Sequence, residues 1–349
     1  MELSTDRDTV GSLHQSKAPD KKKVDMQFIK TTTSGLLVVF AIFVCFAPQV
    51  IAAELRKVTL GYSSIGPMMH GLWMAKEIGA FEKQGLEAEL IFIASGPVVI
   101  QALLGGDLQA GLAATSAVVG AAIKGASIVA VANTASRPYH RLWVQPDINR
   151  IEDLRGKTLG ITRFGSLPHN LTVILLRKYN LTNAVSIRPF GDTLGIAAAF
   201  EQRAIAGAVT SELRVQIPVK VLVNLVDLGI PYSANVIAVQ RDYYRRSPKI
   251  VEGIVRAYTE GVAALKNDKN SGLKVVAKYS RYTDPKFVES QYSDSSTFLD
   301  RVPRVEKAAV APILEFMDQK DVALETFADN AIIERLVKEG YIDKLYTKN

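Results

Sequence analysis

The residues of this sequence that could do chemistry are hydroxyls, and they recur at one kind of place. Ser63 and Ser64 follow the alternating run Val58–Tyr62, and Thr115 and Ser116 follow the small apolar run Ala110–Ala114. Phe164, Gly165 and Ser166 follow Thr158–Thr162, and Thr210 and Ser211 close Ala206–Thr210, with Glu212 next. Ser95 and Gly96 lie in the turn Ala94–Pro97. Each apolar run reads as a buried strand with period two, and the residues after it as a helix start. Free N–H groups at helix starts, joined by hydroxyls, suit an anionic head group such as a sulfonate or carboxylate. The same hydroxyls would serve equally as turn residues or helix caps with no ligand at all; their recurrence in both halves of the chain favours a shared task.

Other polar candidates are sparser. Met69 and His70 follow the Gly66-Pro67 break, near the expected mouth of a cleft, and His169 sits one turn into the helix after Ser166, placed to face it. Arg137 and Arg141 flank the basic aromatic patch Arg137–Arg141 and could pair with an anion, although such arginines are more often solvated or salt-bridged. Asn235 lies in a strand returning from the second half. No third histidine or spaced carboxylate supports a metal at His70 and His169, so neither metal nor cofactor is expected. Glu212 would repel an anion unless it points away or meets an amine or ring nitrogen.

The elements that position these residues alternate. Strand, helix and strand cover Val58–Leu90, with one amphipathic helix from Met69 to Phe81 whose stripe is Leu72, Trp73, Ala75, Ile78 and Phe81. A βαβαβαβ succession to Ala132 implies a mainly parallel sheet with helices on both faces. A second α/β run starts near Ile151, with a helix opened by Pro168, a strand at Val185–Pro189, a helix from Gly191 to Arg203 and a strand at Ala206–Thr210. Leu142–Val144 and Ser233–Val239 read as two strands linking the halves, and beyond Pro248 the chain reads as helical.

At 349 residues the chain has room for about two domains, and a composition of 48% hydrophobic and 22% charged residues supports a sizeable core. Gly35–Ile51 is a charge-free apolar run of 17 residues, preceded by Lys30 and Lys21–Lys23 and followed by Ala52-Ala53. That order describes a secretory signal cleaved near Ala52 or Ala53; the rival reading is an uncleaved membrane anchor. Translation starting at Met26 instead of Met1 would leave a complete signal. The single cysteine, Cys45, lies in this run, so the processed chain would have neither disulfides nor a cysteine nucleophile. The net charge of +7 falls to +6 after Ala53, since the first 53 residues hold six Lys/Arg and five Asp/Glu. A modest positive excess can draw anions, and no dense basic run points to nucleic acid.

Four stretches in order resemble one family. Ala75–Leu86 (AKEIGAFEKQGL), Gln101–Asp107 (QALLGGD), Gly125–Val129 (GASIV) and Glu152–Lys157 (EDLRGK), the last followed by Gly160 and Gly165-Ser166, are similar to periplasmic solute-binding proteins of ABC transporters, of the nitrate, sulfonate, taurine and thiamine-pyrimidine-precursor type. The resemblance covers roughly Val58 to Ala277. Leu108–Gly111 and Ala204–Ala208 depart from it, lacking the acidic residue that the family places before each short strand. The resemblance implies a two-lobe, type II periplasmic-binding fold, α/β in each lobe, with a two-strand hinge. The lobes would run over 54–142 plus 236–349 and over 143–235, after a signal segment at 1–53. It implies a monomeric receptor that binds a small ligand in the cleft and delivers it to an ABC permease in the inner membrane. An enzyme related to pyrimidine-precursor synthases, whose cysteine-rich motif is absent here, and an anchored ligand sensor are the alternatives.

Overall fold

A computed structural model describes residues 54–347. The expected signal segment and its cleavage site lie outside the described residues. Two five-stranded sheets carry the fold. The chain opens with β1 (Arg56–Tyr62), a 3₁₀ turn (Pro67–Met69), α1 (His70–Glu77), α2 (Ala80–Lys83), β2 (Leu86–Phe92) and α3 (Gly96–Gly105). It continues through β3 (Ala110–Ala114), α4 (Thr115–Ile123) and β4 (Ile128–Asn133). The second sheet takes β5 (Arg141–Val144), β6 (Thr158–Ile161), α5 (Leu167–Lys178), β7 (Ser186–Pro189), α6 (Thr193–Glu201), β8 (Gly207–Thr210) and β9 (Lys220–Asn224). The chain then returns as β10 (Asn235–Gln240). After it come α7 (Arg241–Arg246), α8 (Pro248–Asn267), α9 (Lys269–Ser280), α10 (Pro285–Phe298), α11 (Lys307–Phe316), α12 (Ala331–Lys338) and α13 (Tyr341–Lys344).

The first sheet runs β2-β1-β3-β10-β4 and the second β7-β6-β8-β5-β9. In each, four strands run the same way and the fourth in the order runs opposite to both neighbours: β10 between β3 and β4, β5 between β8 and β9. Leu142–Val144 and Ser233–Val239 therefore supply strands inside the sheets, and the chain crosses between lobes in the segments 134–140 and 225–234 that lead into them. Lobe 1 here denotes the part built on the first sheet, lobe 2 the part built on the second.

The single helix expected from Met69 to Phe81 is two helices. Gly79 at φ +67° interrupts the ladder between α1 and α2, a left-handed conformation that glycine adopts without a Cβ penalty. The stripe still faces inward, with Leu72, Trp73, Ala75 and Phe81 buried. α1 lies against α8, whose buried face carries Val251, Ile254, Val255, Tyr258, Val262 and Leu265, and Trp73 stacks on Tyr279 of α9 at 5.3 Å. Among the described residues no helix is long and apolar enough to cross a membrane.

Candidate functional site

The two sheets point the carboxyl ends of their parallel strands at one cavity of about 120 Å³ between the lobes. The residues that cap the N-termini of four helices all line it: Ser95 before α3, Ala114 before α4, Ser166 before α5 and Asp192 before α6. These ends carry partial positive charge and unpaired N–H groups, so the cavity favours an anion without holding any cation. No Lys or Arg lines it, and its single acid, Asp192, is committed to its own helix, accepting from the Gly195 N–H at 2.8 Å.

Two polar atoms in the wall are buried and have no partner among the described residues: Ser95 Oγ and His140 Nδ1. Ser95 is held at φ +79°, unusual for a residue with a Cβ, while its N–H donates to the Ser63 carbonyl at 3.1 Å. Such strain gathers where the surroundings hold a residue for a task. Burial, assisted by the Arg141 charge, pushes the His140 imidazole down to about 3, so it is a neutral ring that can accept or donate one hydrogen bond. Thr162, Thr193, Thr210 and Ser211 add hydroxyls, and Asn235 an amide.

The family model described as NMT1/THI5 like matches residues 67–271, more than half of the chain. The chain belongs to the NMT1/THI5-like family. No curated protein is significantly similar to it in sequence. Solved structures share the fold. A protein of Bordetella bronchiseptica RB50 is 17% identical at a TM-score of 0.69, with 82% of this chain and 98% of that one covered. The ligand-binding component of an ABC-type import system from Staphylococcus aureus, with zinc bound, is 14% identical at 0.67, with 80% and 98% covered. The alkanesulfonate-binding protein SsuA from Xanthomonas axonopodis pv. citri, bound to MOPS, is 19% identical at 0.63, with 85% and 96% covered.

In this NMT1/THI5-like chain Ser63, Ser64, Ser95, Gly96, Ser166, Thr210, Ser211 and Asn235 all line the cavity. Met69 and His70 do not. Both are fully buried in lobe 1, because the 3₁₀ turn Pro67–Met69 rotates α1 so that His70 packs 5.0 Å from the Trp73 ring. Burial pushes His70 down to about 3 and keeps it neutral. Thr115 lies behind the wall, its Oγ1 2.8 Å from Ser233 Oγ. Ser116 bridges the lobes, accepting from Asn170 Nδ2 at 2.9 Å and donating to the Gly165 carbonyl at 3.4 Å. His169 accepts from the Gly165 N–H and meets Phe164 on one side and Phe316 of α11 on the other. Among the described residues no three His, Cys, Asp or Glu side chains come together in a way that could hold a metal.

Neither arginine of the basic patch reaches the cavity. Arg137 sits over the Phe298 ring. Arg141 makes two 2.8 Å bonds to Asp294 of α10 and a third, at 3.1 Å, to the Ser211 carbonyl. Beside them Glu212 turns away from the cavity and accepts from the Tyr282 hydroxyl at 3.0 Å. Burial, with the nearby Asp294 charge, pushes its carboxyl up to about 7, which weakens its repulsion of an anion near neutral pH. A carboxyl held above its ordinary range of about 4.5 stabilises the fold below that pH and loses the contribution as the pH rises through 7. Glu212→Gln is therefore expected to raise the melting temperature at pH 8 relative to wild type and to do so much less at pH 5, measured by calorimetry at both.

Tyr139, His140, Thr162, Asp192, Thr193 and the apolar residues Phe92 and Leu194 are wall residues that sequence reasoning missed. Tyr139 and His140 stand in a crossing segment with no periodicity to read. Asp192 and Thr193 had a legible signal, an acidic cap and a hydroxyl at a helix start.

Proposed function

We propose that the protein is an extracytoplasmic solute receptor that holds a small organic anion between its lobes and delivers it to an ABC permease. One observation carries the reading: four helix starts and the unpartnered Ser95 Oγ and His140 Nδ1 converge on one interlobe cavity. A buried polar group without a partner costs about 1–3 kcal/mol, which a ligand's oxygen atoms would recover. The family match and the shared fold with a ligand-binding component of an import system support a receptor over an enzyme. On this reading residues 1–53 are a signal removed on export, and the protein works as a monomer. Ligand closes the lobes by preferring the closed state, and Ser116 of α4 and Asn170 of α5 supply one contact between them.

A thermal-shift screen of sulfonates, carboxylates, nitrate and pyrimidines tests the reading. An anion at a hundred times its Kd adds about 2.7 kcal/mol to stability; if none raises the melting point while some substrate is turned over, the receptor reading fails. Ser95→Ala is expected to leave unliganded stability unchanged or slightly higher, since the Oγ has no partner to lose. The same variant is expected to weaken anion binding by about ten- to a hundredfold, the worth of one hydrogen bond to a charged group, as read by titration calorimetry.

A further inference from the structure

We infer that the ligand is amphiphilic, its apolar end leaving the cavity between Phe92 of lobe 1 and Leu194 of lobe 2, so that these two side chains set the preferred chain length. The inference rests on the receptor reading above and supplies the half of the ligand that the polar wall does not describe.

The cavity is two-faced. Its hydroxyls and helix starts sit at the strand ends, whereas Phe92 and Leu194, both lining residues, are 46% and 73% exposed. Neither is spent on the core. α6 buries Ile196, Ala199 and Phe200, leaving Leu194 at its first turn outside the packed face. Phe92 ends β2, the edge strand of the first sheet, with one aromatic neighbour, Tyr62, at 5.7 Å. A lone exposed leucine means little. Two large, exposed apolar side chains from opposite lobes in the wall of one cavity leave apolar surface that a molecule bridging the lobes would cover. The occupant is the ligand's own extension, because both side chains line the same cavity as the hydroxyls and helix starts. About 120 Å³ is the share of roughly four water molecules in the liquid, so a head group nearly fills it and a longer chain reaches Phe92 and Leu194.

The test uses protein purified from the cell envelope and two probe series, linear 1-alkanesulfonates and linear carboxylates of two to ten carbons, by titration calorimetry. Affinity is expected to rise by up to about fourfold per methylene over the middle of at least one series, the gain from removing a CH₂ from water, and then to level off. Leu194→Ser and Phe92→Ser are each expected to cut that dependence by at least half. Both side chains are exposed, so the variants fold, which their melting temperatures verify. Val337→Ser, an exposed apolar residue on α12, serves as a control and leaves the dependence intact. Binding of short members with no gain from added methylenes, or a gain unchanged in both variants, overturns the inference and leaves the receptor reading standing. Binding of neither series at any length overturns both.

Discussion

Gly261→Ala is expected to cost about 3 kcal/mol or more and to leave little folded protein at 37 °C. A Cβ at Gly261 in α8 would lie 2.2 Å from the Gly71 carbonyl oxygen and 2.6 Å from the Ala75 nitrogen. These are backbone atoms of α1, so no side-chain rotation relieves the overlap and the two helices must separate. Separation would open the contact that also buries Trp73, Tyr258 and Val262. Gly120→Ala provides the contrast. Its Cβ would meet only the flexible end of Met317 at 3.4 Å, and an alanine within α4 gains about 0.5–1 kcal/mol of helix propensity. Urea unfolding followed by circular dichroism separates the two, with midpoints moving in opposite directions; equal midpoints would refute the close approach of α1 and α8.

The second large effect is at the ion pair between lobes. Asp294→Ala leaves the Arg141 guanidinium in a mostly buried site with only the Ser211 carbonyl as partner, at an expected cost of about 3–5 kcal/mol. Arg141 sits on β5 of lobe 2 and Asp294 on α10, so the loss also frees one lobe from the other. The paired variant Arg141→Met with Asp294→Leu should cost far less, because no charge is left unpaired. A double-mutant cycle on denaturant midpoints reads the coupling. If Asp294→Ala and the paired variant are equally destabilised, the pair is packing and not charge.

Much of the site was legible because strand ends are legible. Ser63, Ser166 and Thr210 each end or follow a buried run of period two, and the fold brings such ends together whatever lies between them. Residues whose role depends on a distant partner were not. Arg141 reads as basic surface, and nothing local announces Asp294, 153 positions away, as the group that turns it inward. His70 looked like a cleft residue since it follows the Gly66-Pro67 break; the extra 3₁₀ turn there moves the helix on by enough to face the core. Strand β9 was missed as well, because an edge strand with no fully buried residue makes little demand on composition. Phe92 and Leu194 gave no signal, for an apolar residue beside a turn reads as part of the element it adjoins.

The position of β10 in the first sheet orders events during synthesis. β5 to β9 are contiguous in the chain, so the second sheet has all its strands once Asn224 has been made. β4 has to wait. Its sheet neighbour is β10, and its remaining bridge joins Ala130 to Ala328, both supplied by the returning chain. A ribosome-bound chain stopped before Asn235 thus carries one complete sheet and one with a missing inner strand, and its β3 and β4 edges stay open until the last third of the protein emerges. Folding of the first lobe closes the process, and the cavity between the lobes comes into being only with it.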